Sequence, residues 1–297
     1  MSNDLIYDIG MHTGNDTAFY LACGFRVLAV EADPHLVAAA KTRFKLEIAS
    51  KKLTILNFAL AEHNTTAPFW INEVRPALNS FDRRLTARSG EPHHSISIQC
   101  KRLDEILSEY GIPHYMKIDI EGSDIVCCNQ LSPSTRPKYI SVEMSQVELL
   151  LKLRDLGYDR FKLINQNDLQ PIGPEDIALH VQALRRLYRL ANYRTTDRKL
   201  SLRLQRAGAA KILRLAKAMG VWDVRKPFKT RLVPEWQFTE KDIGTFSGTF
   251  GEDLPGEWLT WQEMAYLWHR DLREYQKMGW ELGCDLHACD SVACNNK

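Results

Sequence analysis

The first half of the chain alternates short apolar runs with stretches of helical periodicity, and no other feature limits the fold as much. LIYDIG, RVLAVEADP, KLTILNFAL, HYMKIDIEG, PKYISVEM and DRFKLINQ are compact apolar runs, and SISIQC has a period of two; all seven read as strands. Helices are expected between them: over 16–23, ended by Gly24; over about 34–48, where Pro34 suits a first turn; over 102–110 and 123–131; and over 146–156, closed by Gly157. Strands alternating with helices of this length predict an α/β fold with a mostly parallel, seven-stranded sheet covered on both faces.

The pattern changes after Pro171. Residues 176–220 read as two amphipathic helices, and residues 176–231 hold fifteen Lys and Arg against three acids, a local excess of twelve positive charges. The whole chain carries only +2, so the remainder stands at −10. A Gly/Pro-rich stretch, TFSGTFGEDLPGEW, follows, and then a final helix over about 260–278. The expected organisation is a core over 1–172, a basic helical insertion or lid over 173–233, and a C-terminal segment over 234–297 packing on the core. The 44% hydrophobic and 26% charged content is that of an ordinary globular protein. No run reaches the ~18–20 apolar residues of a membrane span, and the first residues lack the pattern of a secretory signal. A cytoplasmic location is expected. Cys23, Cys100, Cys127 and Cys128 fall in helices or strands and read as small buried hydrophobes. Cys284, Cys289 and Cys294 recur in a polar tail beside Asp285, His287 and Asp290; without a CxxC pair they read as reduced thiols near a terminus.

In open α/β sheets a ligand sits beyond the carboxyl ends of the strands. Three such ends here carry chemistry: Asp8-Ile-Gly10-Met-His12-Thr-Gly14, Glu31, and Lys117-Ile-Asp119-Ile-Glu121-Gly122. Glycines at the first turn let backbone approach a ligand closely. A carboxylate at the second strand end can accept both hydroxyls of a ribose. Order and spacing together point to a nucleoside cofactor. His12 stands where the second glycine of GxGxxG would be, and a pyrophosphate needs that bare backbone. A cofactor with a methionyl group and no phosphate does not.

The segments YDIGMHTGNDTAFYL, RVLAVEADP, LDEIL and YMKIDIEGSDIV, in this order over about residues 5–145, resemble the FkbM family of S-adenosylmethionine-dependent methyltransferases. A weaker likeness continues at SGTFGED, EWLTWQEM and GWELGCDLHA. His12 replaces the Asn common in the family, as in one of its subgroups. The spacing between Trp280 and Asp285 is looser than in relatives, so no role carries over to Asp285 or His287. The resemblance implies a Rossmann-like class I methyltransferase core. It implies that Asp8, Gly10 and Gly14 shape the pocket for the methionyl part, with His12, Thr17 and Asp119 in the same cofactor-binding set. Glu31 would hold the ribose hydroxyls, and Ala32 and Asp33 would border the adenine. Asn57 and Ala59 would also lie near it, and Asn79 and Ser80 would approach from the following loop.

The sulfonium of such a cofactor is already activated, so the protein mainly aligns a nucleophile with the methyl group. A hydroxyl acceptor gains from a general base. Asp119, Glu121, Glu143 and His12 are the candidates at strand ends, with Asp119 foremost. Asp119 and Glu143 could together hold Mg²⁺, but nothing in the spacing demands it, and a metal-free site is expected. The reading is an O-methyltransferase acting on a hydroxyl of a glycan or of a small glycosylated or polyketide-like metabolite. The alternatives are a dinucleotide-dependent oxidoreductase and a non-catalytic binding protein on a degenerate methyltransferase core. The basic section could meet an anionic acceptor, lie against an anionic membrane surface, or be a solvated lid. Nucleic acid is not expected, because no reader motif accompanies the charge.

Overall fold

The computed structural model describes residues 4–87, 90–166, 169–173, 247–269 and 283–294. The basic section and its two expected helices lie outside them, as does the end of the final helix.

The chain builds β1 (Leu5–Ile9), α1 (Asn15–Ala22), β2 (Arg26–Glu31), α2 (Pro34–Arg43), α3 (Lys45–Ala49) and β3 (Leu53–Asn57). Asp33 caps α2 by accepting from the His35 N–H at 2.8 Å, beside Pro34 in the first turn. The expected single helix over 34–48 breaks at Phe44, whose buried ring packs close against Gly14. KLTILNFAL likewise is not one strand. Its last residues form β4 (Ala59–Leu60), which leaves the main sheet and pairs instead with β6 (His93–Lys101).

β5 (Thr65–Asn72), absent from the sequence reading, pairs antiparallel with β6. The small sheet runs β4-β6-β5, so Pro68 lies on an edge strand, where its missing N–H is tolerated. There follow α4 (Arg83–Thr86), α5 (Leu103–Tyr110), β7 (Tyr115–Ile118), α6 (Asp124–Asn129), β8 (Tyr139–Glu143), α7 (Val147–Asp155) and β9 (Arg160–Asn165). The C-terminal segment adds β10 (Leu259–Thr260), α8 (Trp261–Leu267) and β11 (Cys284–Cys289).

Among the described residues the main sheet has eight strands in the order β10-β9-β11-β8-β7-β1-β2-β3. Setting aside the two-residue β10, seven strands remain. Numbered by chain order within this sheet they lie 6-7-5-4-1-2-3. β8, β7, β1, β2 and β3 are mutually parallel, and β11 runs antiparallel between β8 and β9. This is the Rossmann-like methyltransferase core expected from the sequence.

The polar tail expected around Cys284 is instead a strand buried along its whole length. Cys284 is a free thiol, whereas Cys289 is disulfide-bonded, which corrects the expectation of reduced thiols there. One face of the sheet packs Tyr7, Leu28, Val30, Met116, Ile140 and Val142 into the main core. The other carries an unusual row. Asp8, Lys117, Ser141, His287 and Lys162 are register neighbours across five strands, and all are buried. Residues 247–258 lie over this row. Phe250 stacks on Tyr115 with centroids 4.3 Å apart, Leu254 O accepts from Lys162 Nζ at 3.0 Å, and the Trp258 ring faces the same ammonium. Buried polar groups persist only where partners compensate desolvation, and this cover supplies several of them. Among the described residues no helix is long and apolar enough to cross a membrane.

Candidate active site

A cleft opens at the carboxyl ends of the parallel strands, where the fold places ligands. It is lined by Ile9 to His12 from the end of β1 onward, Val30 to Ala32 at the end of β2, Lys117 and Asp119 to Glu121 around the end of β7, and Glu143 on β8. The small sheet and its loop close one side with Phe58, Phe69, Pro76, Asn79 and Phe81. Gln166 and Ser247 border the cleft too.

Gly10 is fixed by sterics. Its φ is +86°, and a Cβ there would stand 1.8 Å from the Asp119 carbonyl oxygen. The Asp119 N–H donates to Ile9 O at 2.9 Å, and the Gly10 N–H donates to Val30 O at 3.0 Å. The three strand ends are therefore laced together at a point that admits no side chain.

Glu31 is buried, and both its oxygens are oriented by backbone. Oε2 accepts from the His12 N–H and Oε1 from the Asp33 N–H, each at 2.8 Å. Burial raises its pKa, and these two hydrogen bonds oppose the rise by favouring the anion. A carboxylate oxygen has more than one lone pair, so Glu31 keeps acceptor capacity toward the cleft. Asn57 Nδ2 donates to the carbonyls of Glu31 and Ala32 at 3.0 and 3.1 Å, which fixes the turn. Asp33 Oδ2 accepts from Asn79 Nδ2 at 3.0 Å, and Asn79 Oδ1 in turn accepts from the Asn72 N–H at 2.8 Å. That chain ties the small sheet to the cofactor side. Ser80 Oγ donates to Glu121 O at 3.0 Å.

Lys117 is the electrostatic centre. Its Nζ lies 3.1 Å from Asp16 Oδ2, 3.2 Å from Asp119 Oδ2 and 3.9 Å from Asp8 Oδ1, with the side chain 6% exposed. Burial alone would depress its pKa. Asp119, Asp16, Asp8 and Asp285 outweigh burial and raise it. Asp16 Oδ1 accepts from the Ser247 N–H at 2.8 Å. Asp8 accepts from Thr17 Oγ1 at 2.5 Å, and its pKa is pushed up chiefly by burial. Asp285 is raised to about 7, by burial first and Asp119 second, while Gln166 donates to its Oδ1 at 3.0 Å.

Of the residues singled out from sequence, Gly10, His12, Glu31, Ala32, Ala59, Asn79, Asp119, Glu121 and Glu143 line the cleft. Asp8, Gly14, Thr17, Asp33, Asn57 and Ser80 stand behind it and hold lining residues in place. The cap residue of α6 is Ser123, so neither Asp119 nor Glu121 serves as that cap. His12 has φ +53°, and burial, followed by Lys117, lowers its pKa. Among the described residues no group of three or more His, Cys, Asp or Glu could hold a metal ion. Sequence reasoning placed Lys117 at a strand end that carries chemistry but gave it no role, and it passed over Asp16, Gln166 and Ser247 as site residues. Lys117 was legible in one respect: residues two apart on a strand share a face, which sets it beside Asp119.

The family model for the methyltransferase FkbM domain matches residues 8–160, from the first acidic strand end to the start of β9. The chain belongs to the FkbM methyltransferase family. Among solved structures it is similar to methyltransferase FkbM from Methylobacillus flagellatus KT, at 16% identity and a TM-score of 0.38, over 52% of this chain and 38% of that one. It is also similar to precorrin-6y C5,15-methyltransferase from Geobacter metallireducens GS-15, at 14% identity and a TM-score of 0.32, over 55% of this chain and 67% of that one. The chain thus spans well under half the length of the first of these. No curated protein matches it. The FkbM match covers β1 to β8 and hence the strand ends that floor the cleft, while residues 247–258 and β11 lie beyond it.

Proposed function

We propose that this FkbM-family methyltransferase uses S-adenosylmethionine to methylate a hydroxyl of a glycan or of a small glycosylated or polyketide-like metabolite. The observation that carries the cofactor reading is Glu31, a buried carboxylate at the lip of the cleft with both oxygens aligned by backbone N–H groups. A vicinal diol can donate to both oxygens at once, and such charge-assisted bonds are strong. Phe58, Leu36 and Ala32 offer apolar surface beside it for an adenine. Among the described residues the buried Asp8 Oδ1 has no hydrogen-bond partner and meets Lys117 at 3.9 Å, in keeping with a site built for a polar, charged ligand.

When bound, S-adenosylmethionine supplies a methyl group on a sulfonium that needs no further activation. What the chain adds is placement and proton handling. Asp119 takes the proton from the acceptor hydroxyl as the oxygen attacks. Lys117 holds Asp119 Oδ2 at 3.2 Å and fixes the carboxylate in one rotamer, leaving Oδ1 for the proton. Glu121 and Glu143, on the rim, hydrogen-bond further hydroxyls of a polyol. Cytoplasmic residence and recognition of an anionic acceptor or membrane surface by residues 176–231 complete the proposal.

Calorimetry with S-adenosylhomocysteine and with NAD separates this reading from a dinucleotide enzyme, and transfer of labelled methyl across a saccharide panel tests the acceptor class. Binding of NAD without S-adenosylhomocysteine, or cofactor binding with no hydroxyl acceptor in the panel, would sink the corresponding half.

A further inference from the structure

One cation and four carboxyls are gathered at one wall of the cleft. Lys117 stands against Asp16, Asp119 and Asp8 at 3.1, 3.2 and 3.9 Å, and Asp285 joins them from β11, its carboxyl held by Gln166. Lys117, Asp8, Asp16 and Asp285 are buried, whereas Asp119 is 30% exposed at the cleft surface. Among the described residues, one cation against four carboxylates would leave this group, fully ionised, with three negative charges in excess.

Other titratable groups face it. His12 sits on the turn after β1 with its pKa lowered, so it adds no charge at neutral pH. Glu31 at the end of β2, Glu121 after β7 and Glu143 on β8 line the same cleft. Asp124, on α6, is buried, and burial raises its pKa, with Asp119 and Glu143 adding to the effect and backbone hydrogen bonds opposing it. The phenols of Tyr20 and Tyr115 stay neutral. Asp8 and Asp285, both raised to about 7 chiefly by burial, share this wall, and like charges this close cannot all ionise.

We propose that the Lys117-centred cluster makes the cofactor site select for positive charge: it keeps a proton in the free protein, surrenders it when a cationic ligand enters the cleft, and so favours S-adenosylmethionine over S-adenosylhomocysteine. This rests on the cofactor reading above. S-adenosylmethionine carries a sulfonium, an ammonium and a carboxylate, a net +1; S-adenosylhomocysteine is a zwitterion of net zero. The incoming charge replaces the proton electrostatically, so binding and deprotonation are linked. After transfer the sulfonium is gone, the cluster takes its proton back, and the spent cofactor is held less tightly. The device would limit product inhibition without any conformational change.

The test is calorimetric titration of the whole chain with S-adenosylmethionine, sinefungin and S-adenosylhomocysteine, each in phosphate and in Tris at matched pH. Sinefungin carries an ammonium in place of the methylsulfonium and does not react. Both cationic ligands should release on the order of half a proton more than S-adenosylhomocysteine near neutral pH. The Kd of S-adenosylhomocysteine relative to that of sinefungin should rise about threefold or more from pH 6 to pH 7.5. Asp285→Asn should shrink both differences; should that variant fail to fold, the wild-type ligand comparison decides alone. Equal proton release by all three ligands overturns the proposal while leaving the cofactor reading intact. If none of the three binds, the cofactor reading itself fails and takes this inference with it.

Discussion

The carboxylate of Glu31 receives the backbone N–H of His12, nineteen residues upstream, at 2.8 Å, so the turn after β1 and the end of β2 share one acceptor. Glu31→Ala should weaken S-adenosylhomocysteine more than tenfold, since charge-assisted bonds are worth about 1.5–3 kcal/mol each. Calorimetry gives the Kd, and circular dichroism checks that the fold survives losing the acceptor for His12 and Asp33. Unchanged affinity would remove Glu31 from the site.

Asp119→Asn should bind the uncharged product S-adenosylhomocysteine normally and lose roughly 100-fold or more in turnover, because the amide keeps the shape and loses the basicity. Rates measured in EDTA and with added Mg²⁺ should be equal. Stimulation by Mg²⁺ would restore the alternative in which Asp119 and Glu143 hold a metal.

Gly10→Ala combines a left-handed φ with a Cβ that would stand 1.8 Å from the Asp119 carbonyl. Neither can relax without parting β1 from β7, so the variant should lose roughly 3 kcal/mol or more, read as a fall in Tm or as failure to accumulate folded protein. A variant as stable as the parent would show that the two strand ends are not locked.

His287 is buried, its Nε2 has no hydrogen-bond partner among the described residues, and burial, with Lys162 adding, lowers its pKa to about 3. The unfolded chain protonates this ring near pH 6.5 while the folded one stays neutral, so its contribution is complete above 6.5 and drains away as pH falls toward 3. Asp285 acts in the opposite sense: with its pKa raised to about 7, it lends stability at low pH that is lost as pH rises from about 4 to 7. His287→Gln should therefore remove about 3 kcal/mol of the acid destabilisation expected from this ring between pH 6.5 and 4. Urea melts of both proteins at several pH values measure it. Parallel profiles would mean that the ring titrates normally.

Residues 176–231 hold the charge excess that the core lacks. Replacing Arg185, Arg186 and Arg189 with Gln should raise KM for an anionic acceptor and flatten its salt dependence, with cofactor binding unchanged. Loss of binding to anionic liposomes, with kinetics intact, would assign the section to a membrane surface instead.

The parallel half of the fold was readable because β1, β2, β7 and β8 are buried almost throughout and so appear as compact, mostly apolar runs. β5 escaped because Pro68 interrupts it. β11 escaped for a different reason: Asp285 and His287 look like solvent residues, and only the cover of residues 247–258 and the neighbours Gln166 and Lys162 make them tenable inside. The cleft was legible at Gly10, Glu31 and Asp119, whose chemistry is local to a strand end. It was not legible at Asp16, Lys117 and Asp285, whose roles exist only once three separate strands and a helix meet. Ser247 is the clearest case, reaching Asp16 across 231 residues of chain.

That β11 lies between β8 and β9 has a bearing on how the molecule is made. During synthesis β9 emerges well before β11, and in the finished sheet it reaches β8 only through β11. A growing chain can align β1, β2, β3, β7 and β8, but β9 has no lasting place until residues 284–289 have left the ribosome. Asp285 arrives with them, so the charge cluster is completed last. A ribosome stalled after β9 has emerged and before this strand has should display a chain with its glycine turn and Glu31 in place, an open sheet edge along β8, and Lys117 one carboxylate short.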